Sequence, residues 1–417
     1  MARIPARALS AAVLVTTGLV SGAPLAAATP TPTPTPSSTP TARVLPTITA
    51  TLDPALSVGG ERLAEMNAVI TDLPSGVPAP PEVADVAWVV ADAETGDIIA
   101  AKNPHAHLLP ASTLKTLTAI HLLPRLEPDA VLEATPTEVN AEGTRVGMVV
   151  GATYTAEQLF QALVMSSAND AAYGLAALNG GLDKTVTELN ALAAELGAHD
   201  TVVADPSGLD APGQHSSAYD LALFGREAIN TPAYVELATA KTAAFPSVTT
   251  RASRSRSTYA IGNHNKLLWN YPGTIGVKNG YTKAAHRTFI GAARRGEKTY
   301  IVTEMYGTES SAWRPAASLL DWAFAYGDRA APVGRLVDRG EVPTPPTGGE
   351  RDGQSKSAQA SGRGQGSSVT ATLAQPSGAV TPTLLPVAGA GLLVLLILGS
   401  RIGRRRRVPA HAGRHRA

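Results

Sequence analysis

Two stretches of this chain lack the side chains from which a core is built, and they confine any globular fold to what lies between them. Residues 29–41 alternate threonine with proline almost strictly. Each proline removes a backbone donor and favours extended polyproline II, so this stretch reads as a stiff spacer. Residues 328–382, richest in Gly, Ser, Pro, Gln and Thr from Arg339 onward, cannot bury enough apolar surface to offset the entropy of ordering. The division is then 1–28, a signal peptide; 29–79, spacer and N-terminal linker; 80–327, the globular domain; 328–382, a second linker; 383–402, a membrane helix; and 403–417, a basic tail.

Charge follows the same division. Arg3 and Arg7 at one end and seven arginines in the last 17 residues leave 26 of the 35 basic residues against 34 acidic ones between them, a net charge of −8. A body of that sign does not present the basic face that nucleic acid requires. The first 28 residues have a positive start, an apolar run and small residues at Ala26-Ala27-Ala28, the pattern of a secretory signal. The apolar stretch 383–402 has about the length a bilayer needs and is followed by Arg404–Arg407. By the positive-inside rule it leaves the tail in the cytoplasm and the body outside, a single-pass protein of the cell membrane.

Within the domain, apolar segments 86–92 and 97–102 flank the turn Ala93-Glu94-Thr95-Gly96 and read as a hairpin. Asp92, Glu94 and Asp97 suit that turn better than a calcium loop. Residues 113–123, 156–178, 183–196, 218–229 and 312–326 carry helical spacing, and 274–281, 287–293 and 299–305 read as a late strand meander. Strands at both ends with helices between imply an α+β, three-layer fold: one antiparallel sheet flanked by helices, with an inserted helical lobe. Trp313 and Trp322 are expected to pack the last helix on the sheet.

The absence of Cys excludes disulfides and thiol nucleophiles. No His-Glu-x-x-His stretch is present, and the chain calls for no metal and no cofactor. A Ser-His-Asp triad stays open, because its members need not be neighbours in sequence. Ser112-Thr113-Leu114-Lys115 offers another arrangement, with a hydroxyl and an amine on one face of a helix start. That spacing alone recurs by chance. Two further elements follow it in order: Ser167-Ala168-Asn169 after an apolar helical segment, and Lys278-Asn279-Gly280 on an expected strand, where Gly280 lets a substrate backbone come close.

Together with Asp205-Pro206-Ser207-Gly208-Leu209-Asp210 and Ser216-Ser217-Ala218-Tyr219-Asp220-Leu221, these motifs make residues 83–326 resemble the D-alanyl-D-alanine carboxypeptidases. These are low-molecular-mass penicillin-binding proteins related to the serine β-lactamases. The resemblance implies their transpeptidase-like fold and a serine D,D-carboxypeptidase that trims peptidoglycan stem pentapeptides and is inhibited covalently by β-lactams. It implies Ser112 as nucleophile, Lys115 as base and Ser167 as proton relay, with Asn169 orienting Lys115. Lys278, Asn279, Gly280 and Tyr281 would bind substrate; burial and a nearby cation, Lys278, would lower the Lys115 pKa, and the N–H groups of Ser112 and Tyr281 would form an oxyanion hole. Asn279 departs from the Thr or Ser usual at its position, and no separate β-rich domain is expected after the catalytic one. A D,D-endopeptidase would use the same residues, and an inactive β-lactam-sensing or wall-binding module is the reading from another class. A β-lactamase finds no matching Glu-containing loop. His215 and Asp210 are assigned to a loop near Ser167.

Overall fold

The computed structural model describes residues 45–247 and 257–341. The signal peptide, the residue 29–41 spacer, the apolar segment 383–402 and the basic tail lie outside the described residues. Among those described, no helix is long and apolar enough to cross a membrane.

In chain order the strands and helices are β1 (Val69–Thr71), β2 (Asp85–Asp92), β3 (Asp97–Lys102), α1 (Lys115–Leu122), β4 (Val131–Glu133), α2 (Pro136–Val139), β5 (Thr153–Thr155), α3 (Ala156–Met165), α4 (Asn169–Leu178), α5 (Leu182–Glu195), α6 (Ala218–Ile229) and α7 (Pro232–Thr239). There follow β6 (Thr242–Ser247), β7 (Ser257–Gly262), α8 (Lys266–Asn270), β8 (Thr274–Thr282), β9 (His286–Arg295), β10 (Lys298–Gly307), α9 (Trp313–Tyr326) and β11 (Gly334–Arg335). The main sheet runs β1-β3-β2-β10-β9-β8, with β11 added beside β1 on β3, and every pairing is antiparallel. β2 and β10, from opposite ends of the domain, meet at its centre, as the sequence pattern requires.

Alternation along the strands divides the core into two layers. One face, with Ala87, Val89, Ile290 and Ile301, is covered by α1, α6 and the helices beyond them. The other, with Trp88, Val90, Phe289, Tyr300 and Val302, packs against Leu319, Leu320 and Trp322 of α9. Trp322 also donates its indole N–H to the Pro78 carbonyl at 2.8 Å, and Trp313 packs part-buried against the same layer. Asp92 accepts from the N–H groups of Glu94 and Thr95, which makes 92–97 the expected turn.

Three expectations change. The helix read over 156–178 is two helices, because Ser166, Ser167 and Ala168 turn the chain between α3 and α4, with Ser167 left-handed at φ 60°. The Asn169 N–H at that corner donates to the Thr144 carbonyl at 2.7 Å rather than to a carbonyl one turn back, which interrupts the helical ladder. The N-terminal linker ends earlier than residue 79. Ile48, Leu63 and Ile70 are buried, β1 pairs with β3, and His105 bonds the Val58 carbonyl at 3.0 Å. At the other boundary, Val333, Leu336 and Val337 are buried and Tyr219 bonds the Arg335 carbonyl and the Val337 N–H, so the domain extends past 327, at least to Val337. In both segments the buried apolar side chains are too few to establish a periodic pattern. Truncating one of them tests the revised boundary. Leu63→Ala should destabilise the protein by about 2–5 kcal/mol in denaturant unfolding; a change near zero would return 45–79 to linker.

Candidate active site

The turn that carries Ser112 is held from three sides. Ala111–Leu114 forms a single 3₁₀ turn running directly into α1, with Ala111 left-handed at φ 48°. For a residue with a Cβ that conformation costs on the order of 1 kcal/mol. The Pro110 carbonyl just before it accepts from Thr113 Oγ1 at 2.6 Å and from Thr288 Oγ1 of β9 at 2.8 Å. Gly208 and Gly280 press against its backbone. A Cβ on Gly280 would lie 2.8 Å from the Ser112 nitrogen and 3.0 Å from that of Thr113, and one on Gly208 would collide with the Ala111 carbonyl. Gly280 is therefore required by the approach of β8 to the Ser112 turn, not only by room for a substrate.

Lys115 is buried, and its Nζ lies 2.9 Å from Ser112 Oγ, 2.6 Å from Asn169 Oδ1 and 2.6 Å from the Ser207 carbonyl oxygen. Burial lowers its pKa from 10.5 to about 7, against the opposing pull of the Asp205 and Asp170 carboxylates. Two of its partners are oxygens that only accept. A neutral amine has two N–H bonds and one lone pair; the acceptors fix the two N–H bonds, which leaves the lone pair for the one partner that can donate, the Ser112 hydroxyl. Such an arrangement can remove a proton from Ser112 near pH 7.

Asn169 opens α4 immediately after the Ser166–Ala168 corner. Its Nδ2 donates to the Glu142 carbonyl at 2.5 Å, so its Oδ1 must face Lys115. Ser167 is buried, and its hydroxyl makes no hydrogen bond among the described residues. On β8, Lys278 is buried, with Nζ 2.7 Å from the Asn279 carbonyl. Burial, and then repulsion from Lys115, lower its pKa well below 10.5. For Lys115 itself burial, one of the two expected causes, leads the shift, and Lys278, the other, is not among its causes. Asn279 is half-buried with its amide unbonded among the described residues, while Tyr281 is exposed beneath the Arg287 guanidinium. Asp210 accepts from Thr282 at 2.9 Å and His215 stacks on His107; neither bonds Ser167.

The loop around Ser207 is the part whose role the sequence reading missed, although its motif was visible. Asp205 accepts from the Ser207 N–H at 2.7 Å, from the Ser207 hydroxyl, and from the Tyr173 hydroxyl at 2.6 Å. Thr118 of α1 bonds the Pro206 carbonyl at 2.7 Å. These contacts aim the Ser207 carbonyl at Lys115. The signal that could have found it is an Asp-x-Ser-Gly turn, in which the aspartate caps the backbone two residues on.

A family model described as D-alanyl-D-alanine carboxypeptidase matches residues 75–308. The chain belongs to that family. The D-alanyl-D-alanine carboxypeptidase DacB2 of Mycobacterium tuberculosis is 40% identical over 270 residues, which span 63% of this chain and 90% of the relative. DacD of Salmonella typhimurium is 31% identical over 271 residues, covering 61% of this chain and 66% of the relative. Among solved structures, the Mycobacterium tuberculosis D-alanyl-D-alanine carboxypeptidase superposes with a TM-score of 0.59 at 39% identity, covering 63% of this chain and 99% of that one. A Streptomyces DD-transpeptidase superposes at 0.56 and 26% identity, covering 60% and 100%. The antiparallel sheet with flanking helices is the fold of these penicillin-binding enzymes, and the carboxypeptidase is a serine hydrolase of the same type.

Lys115 leaves a signature in the stability of the carboxypeptidase. Its folded pKa lies below its ordinary 10.5, so between about 7 and 10.5 the unfolded chain binds more protons and stability rises with pH. Lys115→Met removes that proton difference, and the stability–pH slope over this window should flatten by about 1.4 kcal/mol per pH unit. An unchanged slope in pH-dependent unfolding would mean that Lys115 titrates as an exposed lysine does.

Proposed function

We propose that this carboxypeptidase removes the terminal D-alanine of peptidoglycan stem pentapeptides through an acyl-enzyme on Ser112. The observation that carries the reading is the 2.9 Å contact between Ser112 Oγ and a buried Lys115 Nζ whose other two partners only accept. In the first step the Ser112 hydroxyl proton passes to Lys115 while Oγ forms a bond to the carbonyl carbon between the two D-alanines. The resulting oxyanion is held by backbone N–H groups at Ser112 and Tyr281. When the C–N bond breaks, the proton on Lys115 passes through Ser167, whose hydroxyl has no other partner among the described residues, to the departing D-alanine nitrogen. Water then attacks the ester, giving its proton to Lys115, and the Ser112 oxygen takes it back as the shortened peptide leaves.

Lys278, Asn279 and Gly280 form the substrate-binding edge. A substrate carboxylate beside Lys278 supplies the counter-charge that its buried position lacks, and favours the protonated ammonium. Asn279 offers an amide N–H where the family more often has a hydroxyl. A β-lactam enters by the same attack and leaves a slowly released ester. A D,D-endopeptidase would use these residues on a crosslinked peptide. We further propose that the body lies outside the cell membrane on one C-terminal span, a reading supported by the apolar stretch 383–402 and the arginines after it.

Fluorescent penicillin and a stem pentapeptide test both parts. The parent protein should be labelled and should release D-alanine; Ser112→Ala should do neither. The label should stay with membranes of cells producing the full chain after a high-salt wash, and a washed-out label would remove the anchor. Because Lys115 must be neutral, kcat/KM for D-alanine release should fall tenfold per pH unit below about 7. Labelling that survives in Ser112→Ala would end the serine assignment, and release only from crosslinked dimers would favour the endopeptidase.

A further inference from the structure

Asp170 follows Asn169 in the first turn of α4 and is fully buried, yet the mechanism above gives it no task. Its carboxylate is met by three consecutive backbone N–H groups. Val146 donates to Oδ1 at 3.1 Å, and Gly147 and Met148 donate to Oδ2 at 3.0 and 3.2 Å. Its own turn adds the Ala171 N–H on Oδ1 at 3.0 Å. An ionised carboxylate accepts at both oxygens and donates at neither, so it matches this ring of donors, whereas an amide does not.

The segment it grips is the one that orients Asn169. Residues 142–148 cross the start of α4 and bond it at two further points. The Asn169 N–H donates to the Thr144 carbonyl at 2.7 Å, and Asn169 Nδ2 donates to the Glu142 carbonyl at 2.5 Å. Gly143 lies against that amide so closely that a Cβ there would sit 2.7 Å from Asn169 Nδ2, and Gly143 and Gly147 are left-handed at φ 78° and 82°. The Tyr259 hydroxyl bonds the Val146 carbonyl and ties β7 to the same loop. An amide is nearly symmetric in shape, so only its partners decide which end faces Lys115. Here the Glu142 carbonyl decides, and the Glu142 carbonyl is placed by a loop clamped at 146–148.

We propose that Asp170 is a positioning residue for the Ser112–Lys115 pair: by clamping residues 146–148 it holds the Glu142 carbonyl on Asn169 and so keeps the Asn169 oxygen on Lys115. The chain of contact is Asp170, the 142–148 loop, Asn169, Lys115. Asp170 touches no reacting atom in it. This rests on the reading of Ser112 and Lys115 as nucleophile and base. It also explains why a fully buried carboxylate stands beside a lysine that has to lose its proton: the carboxylate is occupied by backbone donors instead.

The test is a double-mutant cycle of Asp170→Asn with Asn169→Ala, read by the rate of Ser112 acylation with fluorescent penicillin and by D-alanine release. Asp170→Asn alone should slow acylation about 10- to 100-fold, the scale of a small misplacement of a catalytic group. KM for the pentapeptide should change less than about threefold, because the substrate edge on β8 is untouched. In the Asn169→Ala background the same substitution should cost less than about threefold, since its effect passes through a side chain no longer present. Gly147→Ala, which strains the left-handed turn inside the clamped segment and whose added Cβ meets neither Asp170 nor Asn169, should reproduce the single-mutant loss, and it carries the test if Asp170→Asn does not fold. A full, multiplicative loss in the Asn169→Ala background, or parent-like acylation in both single variants, overturns the proposal. Labelling of the parent that persists in Ser112→Ala overturns the serine reading instead, so the two failures are distinct.

Discussion

One buried nitrogen organises this molecule. The Lys115 amine meets Ser112 Oγ, Asn169 Oδ1 and the Ser207 carbonyl, and each belongs to a different part of the chain: the 3₁₀ turn before α1, the corner before α4, and the loop after residue 204. Burying an ammonium without a counter-ion is costly, and here the cost appears as a pKa drawn down to about 7. Two carboxylates, Asp205 and Asp170, oppose the shift, yet both are engaged elsewhere, Asp205 by Ser207 and Tyr173 and Asp170 by the 146–148 backbone. Had either paired directly with Lys115, the ion pair would have kept the proton on the amine and left Ser112 without a base.

Bringing three segments to one nitrogen demands close backbone approach, and the glycines mark where it happens. Gly208 stands against the Ala111 carbonyl, Gly280 against the nitrogens of Ser112 and Thr113, and Gly143 against the Asn169 amide. Ala111 and Ser167, left-handed without being glycine, store strain at the same two corners that present the hydroxyls. The surrounding sheet keeps that strain in place, because β8 and β9 both bear on the Ser112 turn, the second through the Thr288 bond to the Pro110 carbonyl.

The antiparallel sheet drawn from both ends of the domain, the covering helices and the residues bearing hydroxyl, amine and amide were legible in the sequence because each has a local signal. Strands β2, β3, β9 and β10 show apolar runs bounded by turns, and the three motifs keep their spacing. What stayed hidden lacks such a signal. The break between α3 and α4 lies inside one continuous apolar period, and only the pair of serines hints at it. Segments 45–71 and 330–341 bury a few side chains and pair their backbone with partners far away in the chain, as β11 pairs at Gly334 with Ile98. A backbone carbonyl, as at Ser207 or Glu142, has no side-chain signature at all, so the acceptors that set the Lys115 geometry were invisible until the fold placed them.

That last point bears on how such a site tolerates change. A side chain that acts directly can be replaced only by one of like chemistry, but a carbonyl is supplied by every residue, and what must be kept is its position. The burden therefore moves to the groups that fix the loops: Asp205 for the Ser207 carbonyl and Asp170 for that of Glu142. Both are carboxylates turned on backbone N–H groups, where an ionised oxygen forms the stronger, charge-assisted bond. The site thus uses two negative charges to hold structure while keeping them off the amine. A lysine can then serve as a base in a pocket with acids close by, because their oxygens are already taken.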